Sequence, residues 1–373
     1  MIRKTALVLL MFLAAACAQR GSITIEPVAR QVGKTETIFV GTQRAFDPET
    51  GRFGSERSNK LSFARLDVSI PPDRAPGEIR WPRKGAAPDP QTDFLTERQI
   101  VFSDAASFRS DLRQNMRNET AIKHQALIFV HGFNNTFAEG TYRIAQLSHD
   151  LGLPRVTVHY SWPSAGQPLG YVHDRDSALF ARDGLETLFN EVVAAGAEHV
   201  IVVGHSMGCL LLMETLRQMD IRDSAKLKRH LRGVVMLSPD IDVDVFTSQA
   251  ATFENLPQPF IIFSSQKDKA LRLSAFITGE PSRLGNLTDL SRIDEFPVRL
   301  VDVGAFNTGA GHFDVGDSPE LIALLKRIGS VQAAFDADNA GRVGLLPGIV
   351  LTARQATAIV VKPLEVISEE LSN

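Results

Sequence analysis

A mostly parallel β-sheet covered by helices on both faces is the fold class this sequence predicts, from three observations. Between residues 126 and 328, short apolar strands alternate with helix-length amphipathic segments, the signature of repeated βαβ units. Runs such as Ala126-Leu127-Ile128-Phe129-Val130 are apolar at every position. Strands of that kind are buried on both faces. Third, the β-branched run ending at Val203 breaks into Gly204-His205-Ser206-Met207-Gly208 and then into Cys209-Leu210-Leu211-Leu212-Met213-Glu214, which reads as a strand, a tight turn and a packed helix.

Taken in order, residues 21–125 read as strand-like pieces at 37–40, 66–70 and 99–102. Pro71, Pro72, Pro82, Pro88 and Pro90 make the stretch between the last two irregular. Residues 107–118 read as a helix whose Arg109, Asp111, Arg113 and Arg117 form a solvated face. A strand at 126–130 leads into His131-Gly132-Phe133-Asn134-Asn135. A helix at 142–151, a strand at 156–160 and one long helix at 177–195 follow. Beyond the turn at Ser206, strands are expected at 234–237, 260–263 and 298–303, with helices at 270–277 and 319–328. Past residue 329 the pattern degrades. Residues 336–341 resemble the start of a calcium loop, but Ala340 and Pro347 stand where ligands are needed, and calcium is rejected.

Composition bounds the function. The 373 residues are 44% hydrophobic and 22% charged with a net charge of -3, a globular chain with no field to gather phosphates. Nucleic-acid binding is therefore not expected. Arg3 and Lys4 precede an apolar stretch at 6–16 that is too short to span a bilayer as a permanent helix, and it reads as a targeting segment. Leu13-Ala14-Ala15-Ala16-Cys17 resembles the lipobox of bacterial lipoproteins, which implies lipidation at Cys17; Ala16-Cys17-Ala18 also reads as a cleavage site for simple secretion. If the first resemblance holds, Ala18 implies outer-membrane sorting in a Gram-negative envelope. The expected organisation is a signal segment at 1–17, N-terminal strands and loops at 18–125, a catalytic core at 126–329 and an extension at 330–373. The second cysteine, Cys209, reads as a small apolar filler.

Ser206 carries the chemical expectation. In a Gly-x-Ser-x-Gly turn between strand and helix, the serine sits on a sharp bend with its hydroxyl projecting beyond the sheet, and side chains at Gly204 or Gly208 would collide with neighbouring backbone. The pattern alone is weak, because a Gly-rich turn with a capping serine reads the same way. A serine hydroxyl needs a base, and the base needs an orienting acid. Downstream lie only His230, on a basic stretch, and His312, in a Gly-rich loop; His312 is the expected base. Asp268 and Asp240 compete for the acid, each following a strand. With Asp268 as the acid, Asp242 and Asp244 are left to cap a helix. The oxyanion donors expected are the amides of Met207 and Phe133. His131 and His205 read as structural. Trp162, Phe133 and Met207 read either as an acyl pocket or as core. No metal-site spacing and no cofactor motif occurs.

Together with Tyr160-Ser161-Trp162-Pro163-Ser164, the segments 131–135, 204–208, 238–246, 264–271 and 311–313 resemble a bacterial branch of the α/β-hydrolase superfamily, domain of unknown function 900. The resemblance spans roughly residues 37–328 and implies the α/β-hydrolase fold and a triad of Ser206, Asp268 and His312. The expected function is an exported serine hydrolase of the carboxylesterase or lipase kind, acting on a small or lipid ester through an acyl-enzyme and held to the membrane by a lipid anchor. The alternatives are a non-catalytic envelope lipoprotein using the fold as a binding scaffold, and an acyltransferase or peptidase with the same triad.

Overall fold

Eleven strands join into one sheet among the residues described by the computed structural model, which are 20–118, 124–153, 156–280, 282–306, 311–328, 348–353 and 355–361. The expectations for the leader at 1–17 with Cys17, for the glycine-rich residues just before Gly311 and for the calcium-like segment at 336–341 lie outside the described residues.

The strands are β1 (Lys34–Asp47), β2 (Arg52–Ile70), β3 (Leu95–Phe102), β4 (Gln125–Val130), β5 (Val156–Ser161), β6 (His199–His205), β7 (Leu231–Leu237), β8 (Phe260–Ser264), β9 (Arg299–Asp302), β10 (Gly348–Ala353) and β11 (Ala356–Val361). Their spatial order is β10-β11-β9-β8-β7-β6-β4-β5-β1-β2-β3. The pairings from β11 through to β1 are all parallel, and only β2 and β10 run against the rest. The mostly parallel sheet is the one expected.

Nine helices among the described residues connect and cover it. They are α1 (Ala105–Asn118), α2 (Phe137–Leu151), α3 (Tyr171–Phe180), α4 (Arg182–Ala194), α5 (Met207–His230), α6 (Val243–Ala250), α7 (Lys269–Thr278), the single turn α8 (Asp314–Asp317) and α9 (Pro319–Ile328). Strand β4 shows why both faces must be covered. Ala126, Ile128 and Val130 pack in the core with helices α1, α4 and α5, while Leu127 and Phe129 point the other way and pack with Tyr142, Ile144 and Ala145 of α2. A period of two with apolar residues at every position leaves no polar face. No helix among the described residues is long and apolar enough to cross a membrane.

Three expectations are corrected. The helix read as continuous over 177–195 is two helices that meet at Ala181, and the first begins six residues earlier, at Tyr171. The buried Tyr160 hydroxyl donates to Ala181 O at 2.6 Å, right at that junction. Secondly, β1 and β2 form a hairpin far longer than the short pieces read from sequence. Thirdly, residues past 347 add a parallel strand, β11, to β9, and an antiparallel β10 outside it. Elsewhere the boundaries move by a few residues. Helix α2 begins at Phe137 because Thr136 and Glu139 close a reciprocal capping box at its start.

The chain leaves β4 for β5 on one side, then returns to lay β6 on the other side of β4. Such a reversal opens a crevice at the carboxyl ends of the two strands. The loop at 131–135 and Ser206 flank it.

Candidate active site

Ser206 follows the last residue of β6 and precedes the first of α5, with φ 53° and ψ -124°. This left-handed geometry is strained for any residue with a Cβ. Three backbone bonds hold it: Ser206 N donates to Leu237 O at 3.0 Å, and Ser206 O accepts from Cys209 N at 3.0 Å and from Asp240 N at 3.1 Å. The flanking glycines are required by contact. A Cβ on Gly208 would stand 2.3 Å from His131 O, and one on Gly204 would stand 3.0 Å from Cys209 Cα. Gly132 is as tightly placed, since its Cβ would come within 2.9 Å of Ser206 Cβ. The loop after β4 thus lies directly against the serine.

Asp268 lies past the end of β8 and is fully buried. Its Oδ1 accepts from Leu271 N at 2.9 Å, capping α7, and its Oδ2 stands 2.7 Å from His312 Nδ1. A proton on Nδ1 donates to that carboxylate and leaves Nε2 with a lone pair. His312 is partly exposed, and its ring packs 5.0 Å from the ring of His205, the residue before Ser206. His205 Nε2 also lies 3.4 Å from His312 O. Among the described residues the Ser206 hydroxyl has no hydrogen-bond partner.

Asp240, the competing acid, does not face His312. Its Oδ1 accepts from Ser274 Oγ at 2.6 Å and lies 3.3 Å from Arg283 Nε, and its Oδ2 accepts from Tyr171 OH at 2.9 Å. Both Asp240 and Arg283 are buried, so this is an interior ion pair under the elbow. Asp242 caps α6 through Asp244 N and Val245 N, as expected, while Asp244 pairs with Arg292. His230 ends α5, remote in sequence and sheet position from this loop cluster.

The family model for an alpha/beta hydrolase of unknown function (DUF900) matches residues 104–325. The chain belongs to that family. No curated protein matches it. Among solved structures it is similar to carboxyl esterase 2 from the fungus Tuber melanosporum, at 12% identity over 83% of this chain and 89% of that one, with a TM-score of 0.37. It is also similar to esterase B from Lactobacillus rhamnosis, at 15% identity over 73% of this chain and 92% of that one, with a TM-score of 0.34. The family match, rather than these distant likenesses, places the chain among the hydrolases.

In this hydrolase the loop after β4 is fixed more thoroughly than its sequence suggests. Asn135 Nδ2 donates to Gly132 O at 3.2 Å and to Phe133 O at 2.9 Å. Gly132 O and Phe133 N–H belong to one peptide plane, so holding the oxygen aims the amide the opposite way. Asn135 is held in turn. Its carbonyl accepts from Arg44 Nη2 at 2.8 Å, and its amide donates to Ser164 Oγ at 3.2 Å. Arg44 also donates to Ser161 Oγ, Gly54 O and Ser164 O, each at 3.0 Å. Asp174 accepts from Ser164 Oγ at 2.5 Å, Ala165 N at 2.6 Å and Asn134 N at 3.2 Å. Burial lowers the Arg44 pKa to about 10, against the pull of Asp174 and Glu139. Sequence reading missed Arg44, Asn135 and Asp174 as supports. No local pattern marks them: Arg44 stands among Thr42, Gln43 and Asp47 at the end of β1.

His131 is buried, with Nδ1 2.9 Å from Gly132 O and Nε2 3.1 Å from Trp162 O. Two carbonyls favour a charged ring, but burial and Arg44 outweigh them and lower its pKa to about 3. It is neutral, and one nitrogen donates. Trp162 stacks on His131 with 5.0 Å between centroids, and its Nε1 donates to His131 O at 2.7 Å. Fully buried, Trp162 is core and no pocket wall, as is Met207. Phe133 is half-buried, edge-on to Tyr171 at 5.5 Å. Met207 is the first residue of α5, so its amide is one of the donors a helix start leaves without an internal acceptor. Cys209 is buried, its Sγ 3.8 Å from Leu237 O, and burial pushes its thiol well up. That is an inert filler.

Proposed function

We propose that this chain is an exported serine hydrolase that cleaves carboxylic esters through an acyl-enzyme. Ser206 Oγ attacks the ester carbonyl carbon while His312 Nε2 takes its proton. The carbonyl oxygen becomes an oxyanion held by the amides of Met207 and Phe133. Collapse breaks the ester C–O bond, and His312 returns the proton to the departing alcohol. Water, deprotonated by His312, then attacks the acyl carbon and releases the acid and Ser206. Asp268 keeps the imidazole in the tautomer that leaves Nε2 unprotonated.

The observation that carries this reading is the 2.7 Å contact between Asp268 Oδ2 and His312 Nδ1, beside a serine at φ 53°. A free Ser206 hydroxyl is compatible with it, because catalytic hydrogen bonds tighten when substrate binds. Lipidation at Cys17 and residence in a Gram-negative envelope belong to the same proposal. A fluorophosphonate probe tests the chemistry. The native chain is expected to be labelled and Ser206→Ala is not; equal lack of reaction in both favours a binding scaffold and ends the enzymatic reading. A panel of amide, thioester and ester substrates separates esterase from peptidase or acyltransferase.

A further inference from the structure

Helix α7 carries apolar side chains both inward and outward. Leu271, Ser274 and Ala275 face inward, while Leu273, Phe276 and Ile277 face solvent, with Phe276 84% exposed. A soluble surface has no use for a phenyl ring and two aliphatic chains on one stripe of a three-turn helix. Across from it, at the start of α3, Leu169 is 92% exposed and Val172 69% exposed. The two segments touch, since Tyr171 OH lies 2.7 Å from Ser274 Oγ. Through Phe133, edge-on to Tyr171, and through Asp268, which caps α7, both abut the site.

We propose that this rim seats on an anionic phospholipid surface, so that the esters reaching Ser206 are acyl esters carried in that surface. The inference rests on the serine-hydrolase reading and adds the substrate class to it. Charge selects the occupant. Exposed Lys267 and Arg272 lie at the start of the same helix. Within residues 166–180 and 267–280 the exposed carboxylates are Asp176 and Glu280. Apolar side chains flanked by cations match acyl chains beneath anionic headgroups. A second copy of this chain, docked about a two-fold axis, would bring this cationic rim towards itself.

A second observation points the same way. Arg20 donates to Asn134 O at 2.7 Å and to Glu139 Oε2 at 2.5 Å, so the chain reaches the fold beside the loop that carries Phe133. Its guanidinium also lies 3.7 Å from where a Cβ on Gly166 would stand, three residues before Leu169. Lipidation at Cys17, part of the proposed function and three residues earlier in the sequence, would bring a lipid surface to this same side.

The test uses the full chain carrying Cys17→Ser, so that no acyl group contributes, and two surface pairs on that background: Leu169→Ser with Val172→Ser, and Phe276→Ser with Ile277→Ser. Each is sedimented with vesicles of phosphatidylcholine alone and of phosphatidylcholine mixed with phosphatidylglycerol. The parent is expected to follow the mixed vesicles, less so in high salt. Each pair is expected to weaken that binding about tenfold or more, and to lower by a similar factor the ratio of rates on vesicle-borne over monomeric ester. Equal sedimentation of the parent and both pairs overturns the proposal, as does a parent dimer that both pairs dissolve. If the parent instead binds vesicles but turns over no monomeric ester, the catalytic reading fails and the surface assignment stands.

Discussion

Asp268 divides its carboxylate between a helix and a ring: Oδ1 accepts from Leu271 N at 2.9 Å while Oδ2 stands 2.7 Å from His312 Nδ1. The helix cap fixes the carboxylate, and the fixed carboxylate orients the imidazole. An Asn here keeps the cap through Oδ1 but offers His312 an N–H in place of an acceptor. Asp268→Asn is therefore expected to fold with little change in melting temperature and to lose on the order of 10⁴ in kcat, as replacing a triad acid does elsewhere. A loss of tenfold or less, measured on a chromogenic ester, would move the orienting role away from Asp268.

Asp240→Asn separates stability from catalysis. The buried Arg283 loses its carboxylate partner, and removing one member of a buried pair costs about 3–5 kcal/mol. Urea unfolding is expected to show that loss, while the folded fraction keeps kcat within about threefold. A variant that is stable but inactive would restore Asp240 as a candidate acid.

Asn135 is expected to act on rate through the peptide it holds. In Asn135→Ala, Gly132 O and Phe133 O lose the side-chain amide, leaving His131 Nδ1 at 2.9 Å beside Gly132 O, and the donor at Phe133 N–H is held less firmly. Removing an oxyanion donor outright costs about 10²–10³ in kcat, so loosening one is expected to cost roughly tenfold or more. KM should change little, and affinity for a phosphonate or boronate transition-state mimic should fall in step with kcat. A fall in stability with no change in kcat of the folded enzyme defeats this role.

How much of this was legible in the residues follows from where each signal lives. The parallel strands were readable because burial on both faces writes uninterrupted apolar runs, and the elbow because its glycines answer to backbone contacts within 3.0 Å. The long hairpin was not, since residues 52–60 of β2 are mostly polar or small and partly or fully exposed. Strand β11 was hidden by composition, as Ala-Thr-Ala before Ile359 resembles a loop until β9 supplies its partner. For Asp268 against Asp240, chain order allowed both; only the fold shows which carboxylate meets His312 and which meets Arg283. Arg44 and Asp174 gave no local pattern, because their work is to tie segments about 90 or more residues apart in the case of Arg44 and Asn135, which spacing alone cannot reveal.

Acid stability should follow the buried histidines. Burial lowers the His131 pKa from 6.5 to about 3 and lowers that of His159 well below 6.5. The unfolded chain takes up these protons near pH 6.5, but the folded chain refuses them until far lower. Stability is then full above about pH 6.5 and falls as pH drops towards 3, by up to about 1.4 kcal/mol per pH unit for each ring. Among the described residues His159 Nε2 is buried without a hydrogen-bond partner, while its Nδ1 lies 3.2 Å from Thr141 Oγ1, which also donates to Phe137 O; His159→Phe is therefore expected to cost little stability near pH 7.5 and to flatten the acid loss. Urea midpoints across pH 7.5 to 4.5, approximately, read it directly; parallel curves for the two proteins would show that His159 is not among the groups responsible.

Strain at Ser206 makes a last, independent prediction. With φ 53° and ψ -124°, any Cβ at this position is held in a conformation that glycine alone adopts without penalty. Ser206→Ala keeps the Cβ and the strain, whereas Ser206→Gly releases both. Both variants lack the hydroxyl and are expected to be inactive. The glycine variant should nevertheless be the more stable of the two by about 1 kcal/mol, the strain relief of roughly 1–3 kcal/mol being partly offset by the backbone entropy of glycine. If thermal unfolding finds Ser206→Gly less stable than Ser206→Ala, the turn is not strained in solution, and the projecting hydroxyl needs a different explanation.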